Sequence, residues 1–219
     1  MMFGSSKQTT QTKNMKTKVL QALLVVGLSA TASHAGPVNF GFETGDFTGW
    51  TVVNGGYSSA DVVNSYFTQA STTFSAFEGK YFALLAAGAG NNVPNTVSQT
   101  FTLNAGQTIS GAAGFFADDY LPYSDYGYAT IVIGSGLTTL FSANIASVGG
   151  QNGTTGWVPW RYTASSSGSY TVTYGVSNGG DNSYASHAFF DGASVPDSAS
   201  TIAMLGMAVS GLAFIRRKP

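Results

Sequence analysis

Short stretches in which apolar and polar positions alternate run through the middle of the chain. Val97, Gln99, Phe101 and Leu103 alternate with Ser98, Thr100 and Thr102, and Ala129, Ile131 and Ile133 alternate with Tyr128, Thr130 and Val132. Val158, Trp160, Tyr162 and Ala164 share one parity. Tyr170, Val172, Tyr174 and Val176 share another, against Thr171, Thr173 and Gly175. A period of two marks a strand with one face buried, because successive side chains point to opposite faces. Between these stretches lie Asn104-Ala105-Gly106-Gln107, Ser165-Ser166-Ser167-Gly168 and the run from Ser177 to Asn182, all rich in turn formers. The pattern predicts an all-β fold, an antiparallel β-sandwich of about eight or nine strands over residues 36–194. Helical character is confined to apolar runs at the two ends.

At the N-terminal end, Lys16 and Lys18 precede the apolar run Val19–Leu28, and small residues lead to Ser33-His34-Ala35. A cationic start, a short apolar core and small residues at the end form a secretory signal, residues 1–35, cut between Ala35 and Gly36. Met15 fits the signal as its start better than Met1 does. At the C-terminal end, residues 195–219 hold Val195-Pro196-Asp197-Ser198, an apolar run Thr201–Ile215, and Arg216-Arg217-Lys218. As a helix that run spans ~22 Å, short against a hydrocarbon core of ~30 Å. It suits transient arrest in the inner membrane, with the basic cluster held on the cytoplasmic side.

Motif, apolar helix and basic tail in this order resemble the PEP-CTERM class of sorting signals, in the variant named for Val-Pro-Asp-Ser-Gly. Ala199 stands where that variant has Gly. The resemblance implies an exosortase-type membrane processing enzyme as partner, removal of the tail, a Gram-negative cell, and a destination at the cell surface or outside it.

Charge changes the picture of the cargo. The whole chain has a formal net charge of −1, with charged residues at only 9 %. Seven of the cations flank the two apolar runs at the ends, so the stretch between those runs keeps only Lys80 and Arg161 against all 10 acids, nine of them within 36–194. Such a domain lacks the cations that neutralise phosphates and excludes nucleic acid as a partner. It suits Ca²⁺, a hard cation bound through oxygen. With Cys 0, disulfides and thiolate metal sites are excluded.

The opening stretch Asn39–Trp50, with its Phe42-Glu43 pair and Gly49-Trp50, resembles the first strand of galactose-binding-like jelly rolls, a group rich in carbohydrate-binding modules. Glu78–Leu84 is similar to their Gly-x-Tyr strand, and Ala188–Val195 to their closing strand. The resemblance implies that Glu43 and Asp191 lie on neighbouring terminal strands and share a structural Ca²⁺. The residues alone leave open that each carboxylate caps a turn or accepts backbone N–H groups instead.

A second acidic stretch, Asp118-Asp119-Tyr120-Leu121-Pro122-Tyr123-Ser124-Asp125-Tyr126, reads as a solvated loop whose tyrosines cover its base. Its alternatives are a Ca²⁺ loop or a sugar-binding rim in which Tyr120, Tyr123 and Tyr126 stack on pyranose faces. Trp157 and Trp160 face opposite sides of a strand, which predicts one core indole and one exposed indole near Pro159. Catalysis is poorly supplied. His187 is the one histidine outside the signal, and the exported segment holds no zinc-spaced histidines. The expected function is that of a non-enzymatic matrix or envelope protein with weak polysaccharide contacts. The rivals are a polysaccharide-active hydrolase and a passive structural protein without a ligand.

Overall fold

The computed structural model describes residues 36–192. Its strands in chain order are β1 (Thr51–Val53), β2 (Ser59–Val63), β3 (Ser65–Phe67), β4 (Thr73–Ser75), β5 (Phe82–Ala86), β6 (Asn95–Leu103), β7 (Thr108–Phe116), β8 (Tyr126–Ile133), β9 (Gly136–Asn144), β10 (Val158–Thr163), β11 (Gly168–Ser177) and β12 (His187–Gly192). One sheet has the order β1-β6-β11-β8-β9 and the other β10-β7-β12-β5-β2, with all named pairs antiparallel. The chain crosses between the two sheets from β5 to β8 and again from β9 to β12, which gives a jelly-roll sandwich. Among the described residues no helix is long and apolar enough to cross a membrane. The expected signal and sorting helices, with Ser33, Ala35, Val195, Pro196, Asp197, Ser198, Arg216, Arg217 and Lys218, lie outside the described residues.

The predicted parities hold. Val97, Phe101 and Leu103 of β6 and Tyr170, Val172, Tyr174 and Val176 of β11 point into the sandwich, and Ala113, Phe115, Ala188 and Phe190 meet them from the other sheet. Tyr174 stacks on Phe190 with centroids 4.6 Å apart. Trp50 stacks on Tyr174 at 5.3 Å and on Phe42 at 5.0 Å, and its Nε1 donates to Asn39 O. Burial of these rings, with the aliphatic side chains around them, favours closing the sandwich.

Two elements differ from expectation. The stretch from Asn39 to Trp50 is a series of turns, not a first strand. Asn39, Phe42, Gly45 and Gly49 all have positive φ, which breaks any extended run. Its turns are closed by Phe42 N–H donating to Asn39 O, Gly45 N–H to Phe42 O and Trp50 N–H to Phe47 O. The strands also exceed the eight or nine expected: the two main sheets hold five each, and β3 and β4 add a separate hairpin. That hairpin closes over the outer face of the β5–β12–β7 sheet, where Phe74 joins Phe82, Leu84, Phe116 and Phe189 in a second apolar cluster. Gly114 is required beneath it, since a Cβ there would strike the Phe189 ring.

Strand β12 sets the two ends of the sandwich. His187 pairs across to Phe116 at one end and Gly192 to Gly111 at the other. The β5–β6, β7–β8 and β11–β12 loops therefore meet at the His187 end. Asp191, Glu43 and the 77–81 segment meet at the opposite end.

Candidate functional site

Asp125 joins the loops at the His187 end. One carboxylate oxygen accepts Gly179 N–H at 2.9 Å and the other accepts Ser186 N–H at 3.1 Å. Gly179 has no room for a side chain, because a Cβ would strike Ser124 O. The third loop is tied in by Asn92 N–H donating to Asn178 O and Ala87 N–H donating to Ser186 O, both at 2.9 Å. Asn91 adds two bonds to Gly180.

The acidic stretch is inverted relative to the solvated loop expected from its composition. Asp118, Asp119 and Asp125 are buried, while Tyr120 is 44 % and Leu121 54 % exposed. The carboxylates turn inward because main-chain N–H groups of the folded loops need acceptors. Asp119 Oδ1 accepts Tyr120 N–H at 2.7 Å. Burial and the charge of Asp181 push the Asp119 carboxyl up, and burial first, with Asp119 as a lesser cause, pushes up Asp125. Asp118 Oδ2 accepts from His187 Nδ1 at 2.6 Å, and the Tyr66 hydroxyl of β3 reaches the same nitrogen at 3.1 Å. Burial and the Asp118 charge push the Tyr66 hydroxyl up, so it keeps its proton; with Nδ1–H donated to Asp118, the Tyr66 oxygen meets that nitrogen only as a second acceptor.

The tyrosines divide between two places. Tyr120 meets Tyr123 edge-on at 5.6 Å and lies 6.2 Å from Tyr184, itself 51 % exposed. Tyr126 instead stacks with Tyr128, at 6.2 Å on β8. The two tryptophans do face opposite sides, but neither is a free ring. Trp160 is in the core. Trp157 packs on Phe82 and Phe189 and donates Nε1–H to Ser75 O at 2.9 Å, so the β3–β4 hairpin covers the indole expected to be exposed.

At the opposite end, Glu43 and Asp191 flank the 77–81 segment. Glu43 accepts Lys80 N–H with both oxygens at 3.0 Å and Tyr81 N–H at 3.1 Å. Asp191 Oδ2 accepts Glu78 N–H at 2.9 Å, and Phe77 N–H also favours its charged form. Glu43 stands in the turn region rather than on a strand paired with β12. Asp191 Oδ1 is buried with no partner. It and Gly192 O face the space left by the missing Cβ of Gly41. Burial, and then the charges of Glu43 and Glu78, raise the Asp191 carboxyl to about 7. A buried carboxylate oxygen without a donor beside a main-chain carbonyl is a donor set of the kind a hard cation takes, though among the described residues no three acidic side chains converge there.

Tyr66, Asn178, Tyr184 and Ser186 were not singled out from the sequence. Asn178 lay in a run read only as a turn, and Tyr66 in a stretch without strand alternation.

The fold is an all-β antiparallel jelly-roll sandwich, and residues 194–218 match the VPDSG-CTERM motif. That sorting motif marks an exported, surface-directed chain and processing by a membrane sorting enzyme. A comparison with curated proteins finds no match. Among solved structures the chain is similar to the carbohydrate-binding module TmCBM61, solved with β-1,4-galactotriose. Identity is 18 %, coverage is 73 % of this chain and 95 % of that one, and the TM-score is 0.45. It is also similar to the CBM22-1 xylan-binding domain from Paenibacillus barcinonensis Xyn10C (15 % identity, 74 % and 95 % covered, TM-score 0.39). A third is the K2 cleaved adhesin domain of Lys-gingipain (13 % identity, 75 % and 92 % covered, TM-score 0.37).

Proposed function

We propose that the protein is a non-enzymatic matrix or envelope component that contacts polysaccharide through the tyrosines at the His187 end. One observation carries this reading: Tyr120 and Tyr184 are half-exposed, neighbouring rings on loops held rigid by Asp125. Flat rings of this kind stack on the apolar face of a sugar, and fixed loops spare the ordering cost of binding. The exposed Asn182 and half-buried Asp181 beside Tyr184 supply acceptors for sugar hydroxyls. The non-enzymatic part is supported by the Asp118–His187 pair. Its shared nitrogen faces Tyr66 of the hairpin rather than a serine or threonine hydroxyl, so the pair fastens β3 to the sheet.

Glu43, Asp191 and Gly192 O are the residues that would hold a structural Ca²⁺. Bound there, the ion would neutralise the carboxylates that flank the 77–81 segment and clamp the terminal segments together. The apolar C-terminal run would hold the chain in the inner membrane only until the sorting enzyme removes it.

The test is a glycan array and affinity electrophoresis on the exported protein. Replacing Tyr120 or Tyr184 by Ala is expected to cost at least about 1 kcal/mol, roughly a fivefold loss of affinity. An array without signal, or full binding by the double variant, removes the reading.

A further inference from the structure

We propose a second cation site, of the Ca²⁺ class, at the His187 end, held by the Asp119 carboxylate and the Asn178 side-chain carbonyl with Asp181 at its rim. It is separate from the Glu43–Asp191 end and does not depend on glycan binding.

Two side chains in adjoining loops carry this assignment. Asp119 is 1 % exposed, and its Oδ2 has no hydrogen-bond partner. Asn178 is 1 % exposed; its Nδ2 donates to Asn182 Oδ1 at 3.3 Å, and its Oδ1 has no partner. Buried acceptors left without donors are costly, and in folded proteins they are rare. The loops that hold them are fastened to each other, since Gly179, next to Asn178, donates its N–H to Asp125. Asp125 accepts a main-chain N–H group with each of its oxygens and so builds the frame that holds these loops.

Charge points the same way. Asp118, Asp119, Asp125 and Asp181 gather at this end; the charge of Asp181 acts on Asp119, and that of Asp119 on Asp125. His187 is the basic side chain facing them among the described residues, and its Nδ1 is committed to Asp118. The two other described cations are elsewhere. Lys80 sits over the Tyr81 ring beside Glu43, and Arg161 is on β10. Buried carboxylates in this position are paired or bind a metal. Among the described residues no three His, Cys, Asp or Glu side chains converge as a metal set. The ligand shell must therefore draw on amide and main-chain oxygens and water. Ca²⁺ accepts such a shell, whereas a structural Zn²⁺ site demands nitrogen and sulfur ligands. The Asp119 carboxylate also holds Tyr120 N–H, so an ion there would stiffen the loop that presents the Tyr120 ring.

The test uses the full exported protein stripped with EDTA and titrated with Tb³⁺, whose emission is sensitised by nearby tyrosine. Displacement by Ca²⁺ and calorimetry with Ca²⁺ alone complete the measurement. The Asp191→Asn background removes the ion expected at the opposite end. In that background, tyrosine-sensitised emission should persist and be displaced by Ca²⁺. Adding Asp119→Asn should weaken binding at least about tenfold, and Asn178→Asp should tighten it. Near-UV circular dichroism reports whether each variant is folded. If Asp119→Asn does not fold, Asp181→Asn at the rim decides, with a severalfold weakening expected. Absence of binding in the Asp191→Asn background, with the fold intact, overturns the proposal. So does binding that survives both Asp119→Asn and Asp181→Asn.

Discussion

Asp191 shows at the scale of one residue how burial and function pull against each other. It is fully buried, accepts main-chain N–H groups with one oxygen, and leaves the other without a donor. Its carboxyl titrates at about 7 in the folded metal-free protein and at its ordinary value of 3.8 when unfolded. The folded state therefore holds the proton over the interval between those values. Stability is highest below the interval and falls as pH rises through it, by a total on the order of 4 kcal/mol at about 1.4 kcal/mol per unit. Asp119 and Asp125 shift in the same direction, so they contribute slope of the same sign. Urea unfolding in EDTA should show wild type losing more stability than Asp191→Asn between pH 4 and about 7. Parallel profiles would mean that Asp191 is not the source. The sequence singled out Glu43 and Asp191, and both do lie at one end. Their N–H partners come from residues 77–81, more than a hundred positions from Asp191, and no local pattern announces that approach.

At the scale of elements, the long strands were legible because one buried face imposes alternation on them. The β3–β4 hairpin was not. Its strands have three residues each and expose most of their side chains, so the period of two has too few positions to register. Yet the hairpin decides which aromatics are available. Phe74 sits 4.2 Å from the Phe189 ring, and Trp157 is covered by the same unit. Phe74→Ala should cost about 3 kcal/mol or more, from lost burial and the cavity left behind. It should also raise binding of a hydrophobic dye by uncovering Phe189, Phe82 and Trp157. Chemical denaturation and dye fluorescence check both. A destabilisation below ~1 kcal/mol would mean that the hairpin is not held by this contact.

At the scale of the whole molecule, an acidic sandwich lies between two cationic terminal segments, and the near-neutral total conceals the difference. The VPDSG-CTERM motif at 194–218 sends that sandwich to the surface. Intact-mass analysis of the surface form should find a chain that begins near Gly36 and lacks the apolar run and basic tail. Retention of Thr201–Ile215 in the mature surface form would overturn cleavage by a sorting enzyme. The sequence alone determined the destination and the sandwich class, because sorting labels and strand parity are written in neighbouring residues. Tertiary structure decided the chemistry of the surface. It turned the aspartates of the 118–125 stretch inward and left Tyr120 outside, buried Trp160 and packed Trp157 on Phe82 and Phe189, and brought Asn178 and Asp119 to one end. These outcomes depend on contacts such as Asp125 with Gly179 and Asp118 with His187, 54 and 69 positions apart. Burial of a carboxylate is settled by which distant N–H or imidazole reaches it, and local sequence holds no record of that partner.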